Sequence, residues 1–273
     1  MIASKEFVIK TMVSILANAK KKYSQNFLIN HNIVLSAVNS LSKDVKQVIE
    51  IGPGLGALTE EILNQNYLLD AYEIDEVMVD HLTSHFARNN NLKIIKGDFL
   101  KQDLSHYQNT KVSFISNIPY SLTTPIIEKV ILQALNIDSF IFMLQKEAGQ
   151  RITSKKGSKD YGPLPIFLTY IGDISPVCKV TRDKFLPSPN VDSVILKLQF
   201  NKNRDFVLEK KLYSLLNNCF RMRRKTLLNN LSIYHKSKDE LLTILSKCNL
   251  KPTCRPEELS LDDYLNLLNL LNQ

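Results

Sequence analysis

Through the first two hundred positions, apolar residues come in short blocks; beyond them they recur at helical spacing. Val48-Ile49-Glu50-Ile51, Leu68–Ile74, Leu92–Lys96 and Val112-Ser113-Phe114-Ile115-Ser116 are compact, mostly apolar runs bounded by glycine, proline or polar residues. That is the pattern of strands buried in a sheet. Helical stretches such as Ala57–Asn66 fall between them, and Val194–Phe200 reads as the last strand. After it, Asp205–Arg221, Lys225–Tyr234, Lys238–Cys248 and Pro256–Leu271 read as helices, with Pro256 in a first turn and Thr253 as a weak cap. The change of pattern predicts an α/β domain over residues 1–200, with helices on both faces of its sheet. A small all-helical C-terminal domain is predicted over 201–273.

The polar residues that interrupt this pattern cluster where strands end, which in open α/β sheets is where ligands bind. The first run enters Gly52-Pro53-Gly54-Leu55-Gly56, whose glycines allow a tight turn and a close ligand approach. The second carries Glu73, well placed to bond ribose hydroxyls, and the third runs into Gly97-Asp98-Phe99, where a carboxylate can accept from an adenine amino group. The fourth runs into Asn117-Ile118-Pro119-Tyr120. Those groups suit methyl transfer to an exocyclic amine. The amine lone pair is conjugated into its ring, and two acceptors for its N–H groups would return that pair to nitrogen. The Asn117 side-chain oxygen and a backbone carbonyl directed by Pro119 supply them. Tyr120 offers a flat face to a flipped-out base. By itself the tetrapeptide also reads as an ordinary strand-ending turn.

Taken in order, Glu50-x-Gly52-x-Gly54-x-Gly56, Glu73, Asp98 and Asn117–Tyr120 resemble the motif series of class I S-adenosylmethionine-dependent methyltransferases acting on RNA adenines. Two further segments narrow the resemblance. Lys22-Tyr23-Ser24-Gln25-Asn26-Phe27-Leu28 is similar to an early Gln-Asn-Phe-Leu motif, with Tyr23-Ser24 in place of its usual aromatic-glycine pair. Phe185-Leu186-Pro187-Ser188-Pro189-Asn190-Val191-Asp192-Ser193 is similar to a late Phe-x-Pro-x-Pro-x-Val-Asp-Ser motif. The chain is thereby identified as a member of the small-subunit rRNA adenine dimethyltransferases, over nearly its whole length.

That resemblance implies a Rossmann-like class I methyltransferase sheet and S-adenosyl-L-methionine as cofactor. Asn26, Leu28, Gly52, Gly54, Glu73, Asp98 and Asn117 would hold the cofactor. Asn117, Ile118, Pro119 and Tyr120 would form the catalytic element, with Phe185 and Tyr120 sandwiching the base. It implies dimethylation of the N6 amines of two adjacent adenosines near the 3′ end of small-subunit rRNA, within a pre-30S-type particle. Two alternatives stay open: a large-subunit rRNA adenine methyltransferase of the macrolide-resistance type, and a non-catalytic assembly or transcription factor on the same fold.

Composition and charge fit an RNA enzyme. With 273 residues and 44% apolar content the chain can bury one full core and a smaller second one. Residues 1–30 carry net +4 and residues 201–236 net +7; the whole chain is +8, so the rest is net −3. Arg221, Arg223, Arg224 and Lys225 form the densest basic cluster, and RNA phosphate is its expected partner. The four cysteines show no metal-type spacing and read as reduced thiols of a cytoplasmic protein. His81 and His85 lie four apart but lack a third ligand, and they read as surface histidines; no metal is expected. Residues 153–162 read as a mobile loop over the active site. Residues 1–20 read as a family-variable extension, too short in its apolar run to span a membrane. A monomer without a membrane partner is expected.

Overall fold

The structure is a computed structural model that describes residues 1–15, 25–133 and 136–271. Its strands are β1 (Phe27–Leu28), β2 (Gln47–Ile51), β3 (Leu68–Glu73), β4 (Leu92–Lys96), β5 (Val112–Asn117), β6 (Ile137–Gln145), β7 (Gly172–Val180), β8 (Phe185–Leu186) and β9 (Ser193–Phe200). Seven of them form one sheet in the order β4-β3-β2-β5-β6-β9-β7, and β1 pairs with β8 in a separate ribbon. The pairs from β4 to β6 are parallel, and β9 runs antiparallel to β6.

This order follows from the apolar blocks. Strands covered by helices on both faces read as continuous apolar runs, and β5 is buried at every residue but its last. From β2 the chain winds outward to β3 and β4, then returns to β5 on the other side. The order therefore reverses between β2 and β5, a switch point that opens a crevice at their carboxyl ends. Ser116 Oγ donates to Ile51 O at 2.7 Å and ties the two strand ends together immediately before Gly52 and Asn117. Phe114, Phe140 and Phe142 are fully buried around this centre, with Phe140 and Phe142 ring centroids 4.7 Å apart.

Contacts divide the chain into two compact units. One comprises Met1–Gly149 with Ser175–Phe200, the other Gln150–Ile174 with Asn201–Gln273. The second unit thus takes in residues 150–174, which the sequence pattern alone assigns to the α/β region. The 153–162 segment, expected as a mobile loop, belongs to the second unit. It is fastened within the second unit: Gly157 N–H donates to Glu257 O at 3.2 Å and Tyr161 Oη to Leu259 O at 3.2 Å.

Several element ends differ from the sequence expectation for local reasons. The first helix after the glycines stops at Asn64, because Asn66 turns left-handed with φ 60°. Pro256–Leu271 is not one helix. A short 3-10 turn spans Pro256–Glu258, and the α-helix begins at Leu261. Ser260 and Asp263 cap that start reciprocally, Asp263 Oδ2 accepting the Ser260 N–H and Ser260 Oγ accepting the Asp263 N–H. The cap is therefore Ser260, not Thr253. Arg221–Lys225 lie in a turn between the helices Phe206–Cys219 and Leu227–Leu231. Buried Asn230 holds this turn, accepting from Met222 N and donating to Met222 O.

Candidate active site

A cavity of about 160 Å³ lies at the switch point. Asn26, Leu28, Gly52, Gly54, Glu73, Asp98 and Asn117 all line it, as do Ile118, Pro119 and Tyr120. The structure therefore brings together residues up to about a hundred positions apart in sequence. Tyr23-Ser24, the departure from the early motif, lies outside the described residues.

The glycine turn leaves β2 with left-handed backbone at Gly52 (φ 70°) and Gly56 (φ 92°). A Cβ on Gly52 would meet nothing within 4 Å, whereas one on Gly56 would come 2.9 Å from the Phe86 ring. Gly52 thus keeps the turn open to a ligand, and Gly56 lets the following helix pack closely. Beneath the turn, Glu50 is 1% exposed. Its Oε2 accepts from Thr59 Oγ1 at 2.6 Å, while Oε1 has no hydrogen-bond partner. Burial, with Glu73 nearby, pushes the Glu50 pKa up to about 8.

Glu73 ends β3 as the edge of the same cavity. Its Oε1 accepts N–H bonds from Ile74 and Asp75, each 2.8 Å, and its Oε2 accepts the Gly54 N–H at 3.0 Å. A carboxylate has about four acceptor sites, so one direction remains, on Oε2. Burial raises the Glu73 pKa from its ordinary value, opposed by those three N–H groups. Asp98 caps the turn Phe99–Lys101, accepting from Leu100 N at 3.0 Å. Lys129 steadies that turn, its Nζ donating to Leu100 O at 3.2 Å and Gln102 O at 2.6 Å.

Asn117 Nδ2 donates to Asn26 O at 3.1 Å. This bond sets the amide's orientation and makes Oδ1 its remaining acceptor. It also joins the early motif to the Asn117–Tyr120 tetrapeptide. The Pro119 carbonyl is engaged by Leu122 N–H at 2.8 Å in the turn that follows. Tyr120 Oη lies 3.0 Å from Ser193 Oγ, on β9. Burial pushes the Tyr120 phenol pKa up.

Phe185 does not join the site. It is 2% exposed and packs in the core with Leu28, Val180 and Ile195. The antiparallel pairing of β8 with β1 sets Phe185 opposite Leu28 and accounts for its burial. Of the two histidines expected at the surface, His85 is exposed and His81 is partly buried beside the Phe7 ring, where burial lowers its pKa. Among the described residues, no group of three or more His, Cys, Asp or Glu side chains is placed to hold a metal ion.

Two lining residues carry no signal that singles them out in sequence. Ile2 and Val8 line the cavity from the expected extension. Gln25 Nε2 donates to Asp75 Oδ2 at 2.9 Å, and Asp75 caps the helix Glu76–His85. Gln25 belongs to the early motif, and a capping residue before an apolar-periodic stretch is the signal that finds Asp75. Arg221, Arg223, Arg224 and Lys225 are exposed in the second unit, and Arg223 donates to the Lys159 carbonyl.

A parallel sheet reversing at a glycine turn, with an Asn-Ile-Pro-Tyr element at the neighbouring strand end, is a class I methyltransferase. The chain belongs to the family described as ribosomal RNA adenine dimethylase, which matches residues 16–273. The ribosomal RNA small subunit methyltransferase A of Mycoplasmopsis pulmonis is 36% identical over 91% of this chain and 97% of its own length. That of Staphylococcus aureus strain JH9 is 35% identical over 92% and 89%. Among solved structures, a dimethyladenosine transferase from Plasmodium falciparum superposes with TM-score 0.75 at 26% identity, covering 90% of this chain and 97% of that one. The 23S rRNA methyltransferase ErmE shares the fold, with TM-score 0.67 at 23% identity over 91% and 100%. Membership makes this chain an rRNA adenine dimethyltransferase using a methyl donor of the S-adenosylmethionine type.

Proposed function

We propose that the protein dimethylates the N6 amines of two adjacent adenosines near the 3′ end of small-subunit rRNA, with S-adenosyl-L-methionine as donor. The observation that carries the mechanism is the orientation of Asn117 at the end of β5. One of its amide hydrogens is committed to Asn26 O, which turns Oδ1 the other way, left to accept. The small-subunit assignment draws its support from the relatives' names. The reading extends to a monomeric, cytoplasmic enzyme that meets a pre-30S-type particle.

The pocket suits the donor. Gly52 keeps its edge clear, Oε1 of Glu50 is a buried polar atom with no partner, and Oε2 of Glu73 retains one acceptor direction for a ribose hydroxyl. Asp98 would take the adenine amino group, with Asn26, Leu28, Gly54 and Asn117 completing the wall. When bound, the donor supplies a methyl group on a sulfonium centre. Asn117 Oδ1 and the Ile118 carbonyl, whose direction Pro119 helps to fix, accept the two N–H bonds of the target amine. They draw its lone pair out of conjugation and aim it. Tyr120 would hold one face of the base. Leu122, partly exposed beside it, is a better candidate for further contact than Phe185. Rate then comes from positioning, and proton loss follows transfer, because the alkylated ammonium is strongly acidic. Arg221, Arg223, Arg224 and Lys225 would bind RNA phosphates.

The direct test is Asn117→Ala in single-turnover methylation at saturating donor. The expected loss is about 10²–10³ in rate, with subunit binding unchanged. A variant as fast as the parent would remove Asn117 from the chemistry.

A further inference from the structure

We infer that residues 1–15 form one wall of the donor pocket, with Ile2 and Val8 as side chains that help retain the donor. The inference rests on the donor reading proposed above. The family match begins at residue 16, yet Ile2 and Val8 line the same cavity as Gly52, Glu73 and Asp98. Both are buried, at 1% and 2% exposure.

The segment is fastened by specific contacts. Ile2 N–H donates to Glu60 Oε2 at 2.7 Å, and Glu60 lies in the first turn of the helix that leaves the glycine turn. Ser4 caps the helix Lys5–Ser14 by accepting the Phe7 N–H at 3.2 Å. That helix turns Val8 inward, into a cluster with Ile2, Phe27, Leu55 and Met78. Phe7 meets His85 edge-on, ring centroids 5.6 Å apart. Ile9 and Val13 stay exposed. Phe27 belongs to both the wall and the turn, since its ring is also the nearest neighbour of a Cβ built on Gly54.

An apolar wall over a pocket of carboxylates and backbone amides excludes water from one side of a bound donor. Its removal should shorten the donor's stay, because apolar contacts are lost and water reaches the polar bonds. The inner face of the helix is thus a donor-binding surface that belongs to this chain and not to the matched family region.

The test uses the full chain, with Ile2→Ala, Val8→Ala and Val13→Ala. Calorimetry with S-adenosylmethionine and with S-adenosylhomocysteine reads affinity, and stopped-flow reads dissociation. Val8→Ala and Ile2→Ala should each weaken binding by about threefold or more and speed dissociation, whereas Val13→Ala should match the parent. If the parent itself binds neither compound, the donor reading fails. If the parent binds and Val8→Ala binds equally well, this inference fails and the donor reading stands. A lower melting temperature with undiminished affinity also overturns it. Should the variants not fold, amide exchange of the parent decides: protection of residues 5–10 should rise when S-adenosylhomocysteine is added, and unchanged protection overturns the inference.

Discussion

The Tyr120 hydroxyl and Ser193 Oγ are 3.0 Å apart, so the ring proposed to carry the base is held at its far end. The hydroxyl then has an orienting role that the sequence reading, which gave Tyr120 only a ring face, lacks. Tyr120→Phe and Ser193→Ala should each slow single-turnover methylation by up to about tenfold, the worth of one hydrogen bond. The double variant should be no slower than the worse single one, since both remove the same bond; additive losses would show that the two groups act separately. Tyr120→Ala should cost more, because stacking is worth about 1–3 kcal/mol per base. Glu73→Ala should weaken donor binding at least about tenfold by calorimetry. It should also lower the melting temperature, because three backbone N–H groups lose their acceptor, two of them at 2.8 Å.

Glu50 gives a pH signature. Its pKa is raised from 4.5 to about 8 in the folded chain, chiefly by burial. The folded state therefore holds this proton over a range in which the unfolded chain has lost it. The contribution to stability is complete below about 4.5 and declines as pH rises toward about 8. Melting temperature should fall across that interval, and Glu50→Gln should flatten the fall. A parent whose melting temperature rises from pH 5 to pH 8 by the same amount as the variant's would contradict it.

At the scale of elements, strands were legible because burial on both faces writes itself as unbroken apolar runs. The ends of β2, β3, β4 and β5 were legible as site positions for the same reason: a carboxylate, glycine or Asn-Pro pair stands out where such a run stops. What was not legible depends on distant partners. Phe185 looks free in sequence, but its pairing with Leu28 buries it. The 153–162 segment reads as a loop, but the carbonyls that accept from Gly157 N and Tyr161 Oη lie about a hundred residues away, at Glu257 and Leu259. The start of the last helix was misplaced because Pro256 and Ser260 both carry starting signals, and only the reciprocal bond to Asp263 distinguishes them.

The basic turn is the element that predicts binding. Asn230 pins it from inside through Met222, and the cations point outward. Replacing Arg221, Arg223, Arg224 and Lys225 with neutral residues should flatten the salt dependence of subunit binding by about 0.7–0.9 per lost phosphate contact. Donor affinity should not change. An unaltered salt slope in filter binding would reduce the cluster to solvated surface.

For the whole molecule, the chain's positive charge is concentrated at residues 1–30 and 201–236, leaving the rest slightly acidic. The acidic residues at the strand ends suit a cationic donor, and the basic turn suits a polyanion, so one chain carries two opposed binding chemistries. The polyanion proposed above is the small-subunit rRNA. The family fold is also shared by an enzyme of the large subunit, so the choice of rRNA must be measured. The decisive measurement is mass spectrometry of rRNA from purified, unmethylated small and large subunits, each incubated with the enzyme and methyl-labelled S-adenosylmethionine. The account predicts two adjacent N6,N6-dimethyladenosines near the 3′ end of the small-subunit rRNA and no label in the large-subunit rRNA. Label confined to the large-subunit rRNA, or absent from both, would contradict it.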